Sequence, residues 1–265
     1  MNTNSDGVLS QYEKFEFNNG RWTRTVYRRG SGPAVIVIHE VPGLHPLVVR
    51  YADRVVQAGL TVFLPSLFGE PGKTVTPFYS LRSLIENVCI RREFTIWSTE
   101  RSSPIVDWLR GLARQCHAEC GGRGVGAVGM CFTGGFALAM MTDSSVVAPV
   151  LSQPALPLAF CSHRRAESIG MSRGEIDCVK QRCDRESLSV LALRFKGDKS
   201  VPDARFRTYE REFKSHLEAI ELDPTDAVPT SKRPHSVLTI DMNENGPTKL
   251  AEQRTIAFLK ERTGA

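Results

Sequence analysis

The apolar positions of this chain come in two rhythms that alternate along its length. Residues 33–43, PAVIVIHEVPG, form a short unbroken apolar run rich in β-branched residues that stops at Pro-Gly, the pattern of a strand buried on both faces. Leu47 to Ala58 then carries Val48, Tyr51, Ala52 and Val55 at helical spacing. Gly59 ends that run, and Leu60 to Leu64 is apolar again before Pro65. The unit repeats: Ser103-Pro104 opens a helix with Ile105, Val106, Leu109, Leu112 and Ala113 on one face and Gly121-Gly122 at its end. Gly124 to Gly129 reads as a strand, and Phe136 to Met141 as the buried helix after it. Val146 to Leu151, Ser189 to Phe195 and Ala219 to Leu222 are later strands, with helices near Ala204 to Leu217 and Thr248 to Arg262. Such alternation predicts a mostly parallel central sheet with helices on both faces, and ligands beyond the carboxyl ends of its strands.

All 265 residues are expected to form one domain, with cap or lid segments at 66–99 and 152–188, the two stretches that do not fit the alternation. In the second, Ser172 to Glu175 has the form of a capping box at a helix start. The content of 41% hydrophobic and 24% charged residues is that of a globular protein. The net charge of +5 is scattered rather than gathered into a basic face, which argues against a nucleic-acid partner. No apolar run approaches a bilayer span and the N-terminus has no signal-peptide pattern, so a cytoplasmic protein without a membrane partner is expected. Seven cysteines, an odd number, are then expected mostly as free thiols.

Chemistry enters at Gly129-Met130-Cys131-Phe132-Thr133-Gly134-Gly135. A thiol set among small residues between an apolar strand and an apolar helix is the grammar of a nucleophile elbow, where backbone N–H groups favour a thiolate. The alternative is a small buried hydrophobe beside glycines that let a helix approach a sheet. Asp198 follows the strand ending at Phe195, and His235 lies in a loop before the last helix, so nucleophile, acid and histidine occur in the order this architecture uses. Asp203 is the rival acid, although its place suggests a helix cap. Val41 and Phe132 are expected to offer the backbone N–H groups of an oxyanion hole. Glu40, beside Val41, either takes or holds the thiol proton or belongs to a buried structural ion pair, while His39 is read as structural.

These motifs, HE-x-PG at His39 to Gly43, G-x-C-x-x-G-G at Gly129 to Gly135, G-D-x-x-V-P at Gly197 to Pro202 and HSV at His235 to Val237, resemble those of the dienelactone hydrolase family of α/β-hydrolases. The resemblance implies the α/β-hydrolase fold, a Cys131–His235–Asp198 triad with Glu40 as the thiol's carboxylate partner, and cleavage of a small ester or lactone through a thioester acyl-enzyme. It implies no cofactor and no metal. Where relatives acting on dienelactone carry an arginine shortly after the catalytic histidine, this chain has Leu238 and Thr239, which turns the expectation towards another ester or lactone.

Arg91, Arg92 and Arg233, the last beside Lys232, are candidates for binding an anionic substrate, and Trp97 for lining an apolar pocket together with Phe68, Phe78, Tyr79 and Phe94. Plain exposed charge and a satellite core are the alternatives. Cys116, His117 and Cys120, or Cys161 and His163, lack a second ligand pair at zinc spacing. The rivals to a hydrolase are a silent ligand-binding module of the same fold and a thioesterase or acyltransferase.

Overall fold

The computed structural model describes residues 7–83, 102–156 and 161–265. Its strands are β1 (Glu13–Asn18), β2 (Thr23–Arg29), β3 (Ala34–Ile38), β4 (Thr61–Pro65), β5 (Val125–Met130), β6 (Val146–Ser152), β7 (Val190–Phe195) and β8 (Leu217–Leu222). They form one sheet in the order β1-β2-β4-β3-β5-β6-β7-β8. From β4 to β8 every pairing is parallel, whereas β1 and β2 form an antiparallel hairpin whose second strand runs antiparallel to β4.

Every residue of β3, β4, β5, β6 and β7 is buried, as expected of strands covered on both faces. Successive side chains point to opposite layers. Ile36 and Ile38 join one apolar cluster, Val35 and Val37 the other. Helices α3 (Ile105–Cys120), α4 (Gly134–Met140), α6 (Arg173–Glu186) and α7 (Asp203–Phe213) pack on the first side, and α1 (Pro46–Gln57) and α8 (Pro247–Thr263) on the second. Short helices α2 (Pro77–Ser83) and α5 (His163–Glu167) complete the described set.

The expected strands and long helices all appear, displaced by a few residues at their ends. The hairpin of β1 and β2 is an addition to the elements expected from the sequence. Its outer strand alternates exposed and half-buried positions, so its apolar signal is weak. A second difference concerns 152–188. Its capping box is present, with Ser172 Oγ accepting from Glu175 N–H at 3.2 Å and Glu175 accepting from Ser172 N–H at 2.8 Å. The helix it starts, α6, nevertheless buries Ile176, Val179 and Cys183 in the core, so this part of the segment is a layer helix rather than a cap. In the region 66–99, Tyr79 is buried and Phe78 is exposed. Residues 84–99 lie outside the described part.

Candidate active site

The carboxyl ends of neighbouring strands β3, β5, β6 and β7 carry four loops to one place. After β5 the chain turns sharply, with Cys131 held at φ +56°, a left-handed conformation that costs a non-glycine residue about 1–3 kcal/mol. Sterics demand the neighbouring glycines. A Cβ on Gly129 would lie 2.2 Å from the Thr133 carbonyl oxygen, and one on Gly134 would lie 2.6 Å from Pro154 Cα. Thr133, fully buried, then fastens the turn to β3. Its hydroxyl accepts from Met130 N–H at 3.0 Å and faces the carbonyls of Ile38 (3.0 Å) and His39 (3.2 Å). The turn that carries the half-buried Cys131 is thereby fastened to the end of β3, where the loop containing Val41 begins.

His235 Nδ1–H donates to Asp198 Oδ2 at 2.5 Å, which leaves Nε2 available for the hydrogen bond that the ring makes with Cys131. Burial alone would disfavour a charged imidazole. The neighbouring Cys131, through its electrostatic interaction and its hydrogen bond with the ring, and the Asp198 carboxylate outweigh that penalty and hold the proton affinity of His235 well above the usual imidazole range. Asp198 is itself steadied by Ser200 N–H, which donates to Oδ1 at 2.8 Å. Asp203 is not a cap; it stands in the first turn of α7 and pairs with Arg194 at 2.6 Å.

Glu40 is buried, and its partners fit the buried-pair alternative better than a contact with the thiol. Oε2 accepts from Ser236 Oγ at 2.7 Å and Gln153 Nε2 at 3.2 Å, while Oε1 accepts from Thr239 Oγ1 and lies 3.3 Å from His45 Nε2. Together these partners hold the carboxyl below its usual range against the cost of burial. Among the described residues the carboxylate bonds the histidine loop rather than the thiol, because that loop brings two hydroxyls into its reach. His39 is structural, as read: Nδ1–H donates to the Glu40 carbonyl at 3.0 Å, Nε2 accepts from Leu67 N–H at 3.0 Å, and burial pushes its pKa down to about 4.

Several positioning groups carried no sequence signal. Asp241 accepts from the N–H groups of His235 (2.7 Å) and Ser236 (2.8 Å), folding the loop that presents the imidazole. Gln153, buried at φ +36°, accepts from Val237 N–H at 3.2 Å. Arg205 is wholly buried in a cage of backbone carbonyls from Ser168 (2.6 Å), Arg165 (2.8 Å), Ser200 (3.0 Å) and Pro154 (3.3 Å), and it joins α7 to the loop that carries Asp198.

Arg233 and Lys232 are exposed on the loop before His235. Arg91, Arg92, Phe94 and Trp97 lie outside the described residues. Among the described residues no group of three His, Cys, Asp or Glu side chains could hold a metal ion, and no helix is long and apolar enough to cross a membrane.

This arrangement has relatives among solved structures. A protein from Klebsiella pneumoniae described as a dienelactone hydrolase superposes with a TM-score of 0.64 at 17% identity, covering 94% of this chain and 98% of that one. A dienelactone hydrolase-like promiscuous phosphotriesterase from metagenomic libraries gives 0.62 at 15%, over 94% and 98%. An esterase of Pyrococcus furiosus gives 0.60 at 14%, over 98% and 96%. At these identities the likeness speaks for the fold. Comparison with curated proteins yields no match. The sequence pattern of the dienelactone hydrolase family, however, matches residues 24–159, more than half the chain and the part that holds β3, the Glu40 loop and the Cys131 turn. The chain belongs to the dienelactone hydrolase family of α/β-hydrolases and is a carboxylic ester hydrolase.

Proposed function

We propose that this hydrolase cleaves a small carboxylic ester or lactone by covalent catalysis at Cys131. The observation that carries the reading is the coupling of one imidazole to both the Cys131 thiol and the Asp198 carboxylate, which favours a thiolate–imidazolium pair. Sγ attacks the carbonyl carbon and forms a tetrahedral oxyanion, which the N–H groups of Phe132 and Val41 receive. The C–O bond to the alcohol then breaks, the leaving oxygen takes the proton from His235, and a thioester remains. Water, deprotonated by His235, attacks that thioester, releases the acid and returns the thiol. Asp198 keeps the imidazole in the tautomer both half-reactions need. In a lactone the alcohol stays attached to the acyl chain, so one product leaves at the end. Exposed Arg233 would meet an anionic group at the mouth of the site. The sequence of steps requires no cofactor.

The test is hydrolysis of short p-nitrophenyl esters and small lactones by the wild type, Cys131→Ala and a Cys161→Ala control, with mass spectrometry of the quenched enzyme. Turnover abolished only in Cys131→Ala, with an acyl adduct on the Cys131 peptide, supports the reading. Full turnover by Cys131→Ala refutes it.

A further inference from the structure

The residues that would receive the oxyanion and those that would move the proton belong to loops far apart in sequence, and one buried carboxylate lies between them. Glu40 directly precedes Val41. Its partners Ser236 and Thr239 follow His235 by one and four residues. Gln153 follows β6 and stands two residues before Ala155, whose N–H donates to the Cys131 carbonyl at 2.9 Å. His45 precedes α1, where the Glu40 loop ends.

An ionised carboxylate offers about four lone-pair directions, and four side chains contact Glu40 here. Capturing the thiol proton would require breaking one of these bonds, each strengthened by the charge it meets. Gln153 extends the strap, since its Oε1 accepts from Val237 N–H at 3.2 Å while its Nε2 donates to Glu40. Shifting any one loop would cost hydrogen bonds in the others.

We infer that Glu40 is a positioning residue that straps the Val41 loop to the His235 loop, fixing the separation between oxyanion donor and imidazole, and that it does not serve as the acceptor of the thiol proton. The inference rests on Cys131 as nucleophile and departs from the role that family resemblance would give Glu40.

The experiment compares wild type, Glu40→Gln and Ser236→Ala in three measurements: kcat and KM for p-nitrophenyl acetate, the thermal midpoint, and the pH dependence of iodoacetamide alkylation read on the Cys131 peptide. Misplacing the groups should lower kcat about tenfold or more in Glu40→Gln and about threefold or more in Ser236→Ala. The alkylation midpoint should stay within about 0.3 pH unit of wild type in both, because thiolate formation is left to His235. A rise of that midpoint by about one unit or more in Glu40→Gln would make the carboxylate the thiol's proton acceptor and overturn the inference. Unchanged kcat in Glu40→Gln would overturn it too, as would a lowered thermal midpoint with kcat intact, which marks a purely structural role. If Glu40→Gln yields no folded protein, Ser236→Ala and Gln153→Ala, which keep the carboxylate, read the same quantities. Full turnover by Cys131→Ala is a separate result that refutes the nucleophile itself.

Discussion

Replacing Gly129 by alanine adds one methyl group, and the structure indicates how much must move to admit it. The new Cβ would lie 2.2 Å from the Thr133 carbonyl oxygen, 2.9 Å from its carbon and 3.0 Å from Gly134 Cα, whereas ordinary contact begins at 3.4 Å. About 1 Å of separation has to be found between backbone atoms, none of which can swing aside as the end of a side chain could. The turn cannot retreat as a unit, because the Thr133 hydroxyl is tied to β3 through Ile38 and His39 and Gly134 is pressed against Pro154. Overpacking of this kind costs about 1–3 kcal/mol, and an ångström of misplacement at the reacting atom costs about a hundredfold in rate.

Gly135→Ala is the internal control. It adds the same methyl group six residues later, within α4, where the nearest atom is the Ile169 carbonyl oxygen at 3.5 Å. An alanine at such a helical position is expected to be neutral or to stabilise by about 0.5–1 kcal/mol. Thermal unfolding and p-nitrophenyl acetate hydrolysis of the two variants decide the matter. The expected outcome is a Gly129→Ala protein that is destabilised and about a hundredfold slower beside a Gly135→Ala protein close to wild type. Wild-type activity in Gly129→Ala, or equal damage in both, would refute the steric account of the turn.

Asp198→Asn should lower kcat by about 10³- to 10⁴-fold and move the alkaline limb of the kcat/KM profile to lower pH, because one of the groups that raises the proton affinity of His235 is gone; a limb at the wild-type position would contradict this. The same elevation makes a stability contribution that is full below the ordinary imidazole value of 6.5 and is lost as pH rises through the folded value. His39 acts in the opposite sense. Its pKa falls from 6.5 to about 4, so its contribution is present above 6.5 and is lost as pH drops towards 4, about 3 kcal/mol in all; urea unfolding at stepped pH, with the His39 ring showing no NMR titration between pH 5.5 and 8, checks it. Arg205→Met leaves four carbonyls without their donor, and a loss on the order of 3 kcal/mol is expected in urea unfolding; a stability within 1 kcal/mol of wild type would show that these carbonyls find other partners.

What could be read from the sequence and what could not divide along a physical line. The strand AVIVI at β3 announces itself because both of its faces are covered, so every position carries the same apolar requirement. The hairpin of β1 and β2 escapes the same reading because much of its surface is wet and charged side chains satisfy it. The positions of Cys131, Asp198 and His235, the residues of the proposed triad, were easier to anticipate because the backbone around each is dictated locally: glycines at a tight turn, a carboxylate just past a strand, a histidine in the last long loop. The hydrogen-bond partners of Glu40 were not legible. Its bonds to Gln153, Ser236 and Thr239 span 113, 196 and 199 residues, and nothing near position 40 encodes which hydroxyls and amides will meet there. Arg205 escaped for a related reason, since an arginine in an amphipathic helix reads as exposed until four carbonyls from three other segments close around it. A group that performs a bond-making step needs a particular local backbone, and local backbone leaves a motif. A group that holds two loops at a fixed distance needs only to be where they meet, so it can be drawn from many residue types and leaves its mark in three dimensions alone. Substitutions at Glu40, Gln153, Asp241 and Arg205 should therefore couple to one another across the site more strongly than their separations in sequence suggest, and double-mutant cycles between Glu40 and Ser236 are where that coupling is expected to be largest.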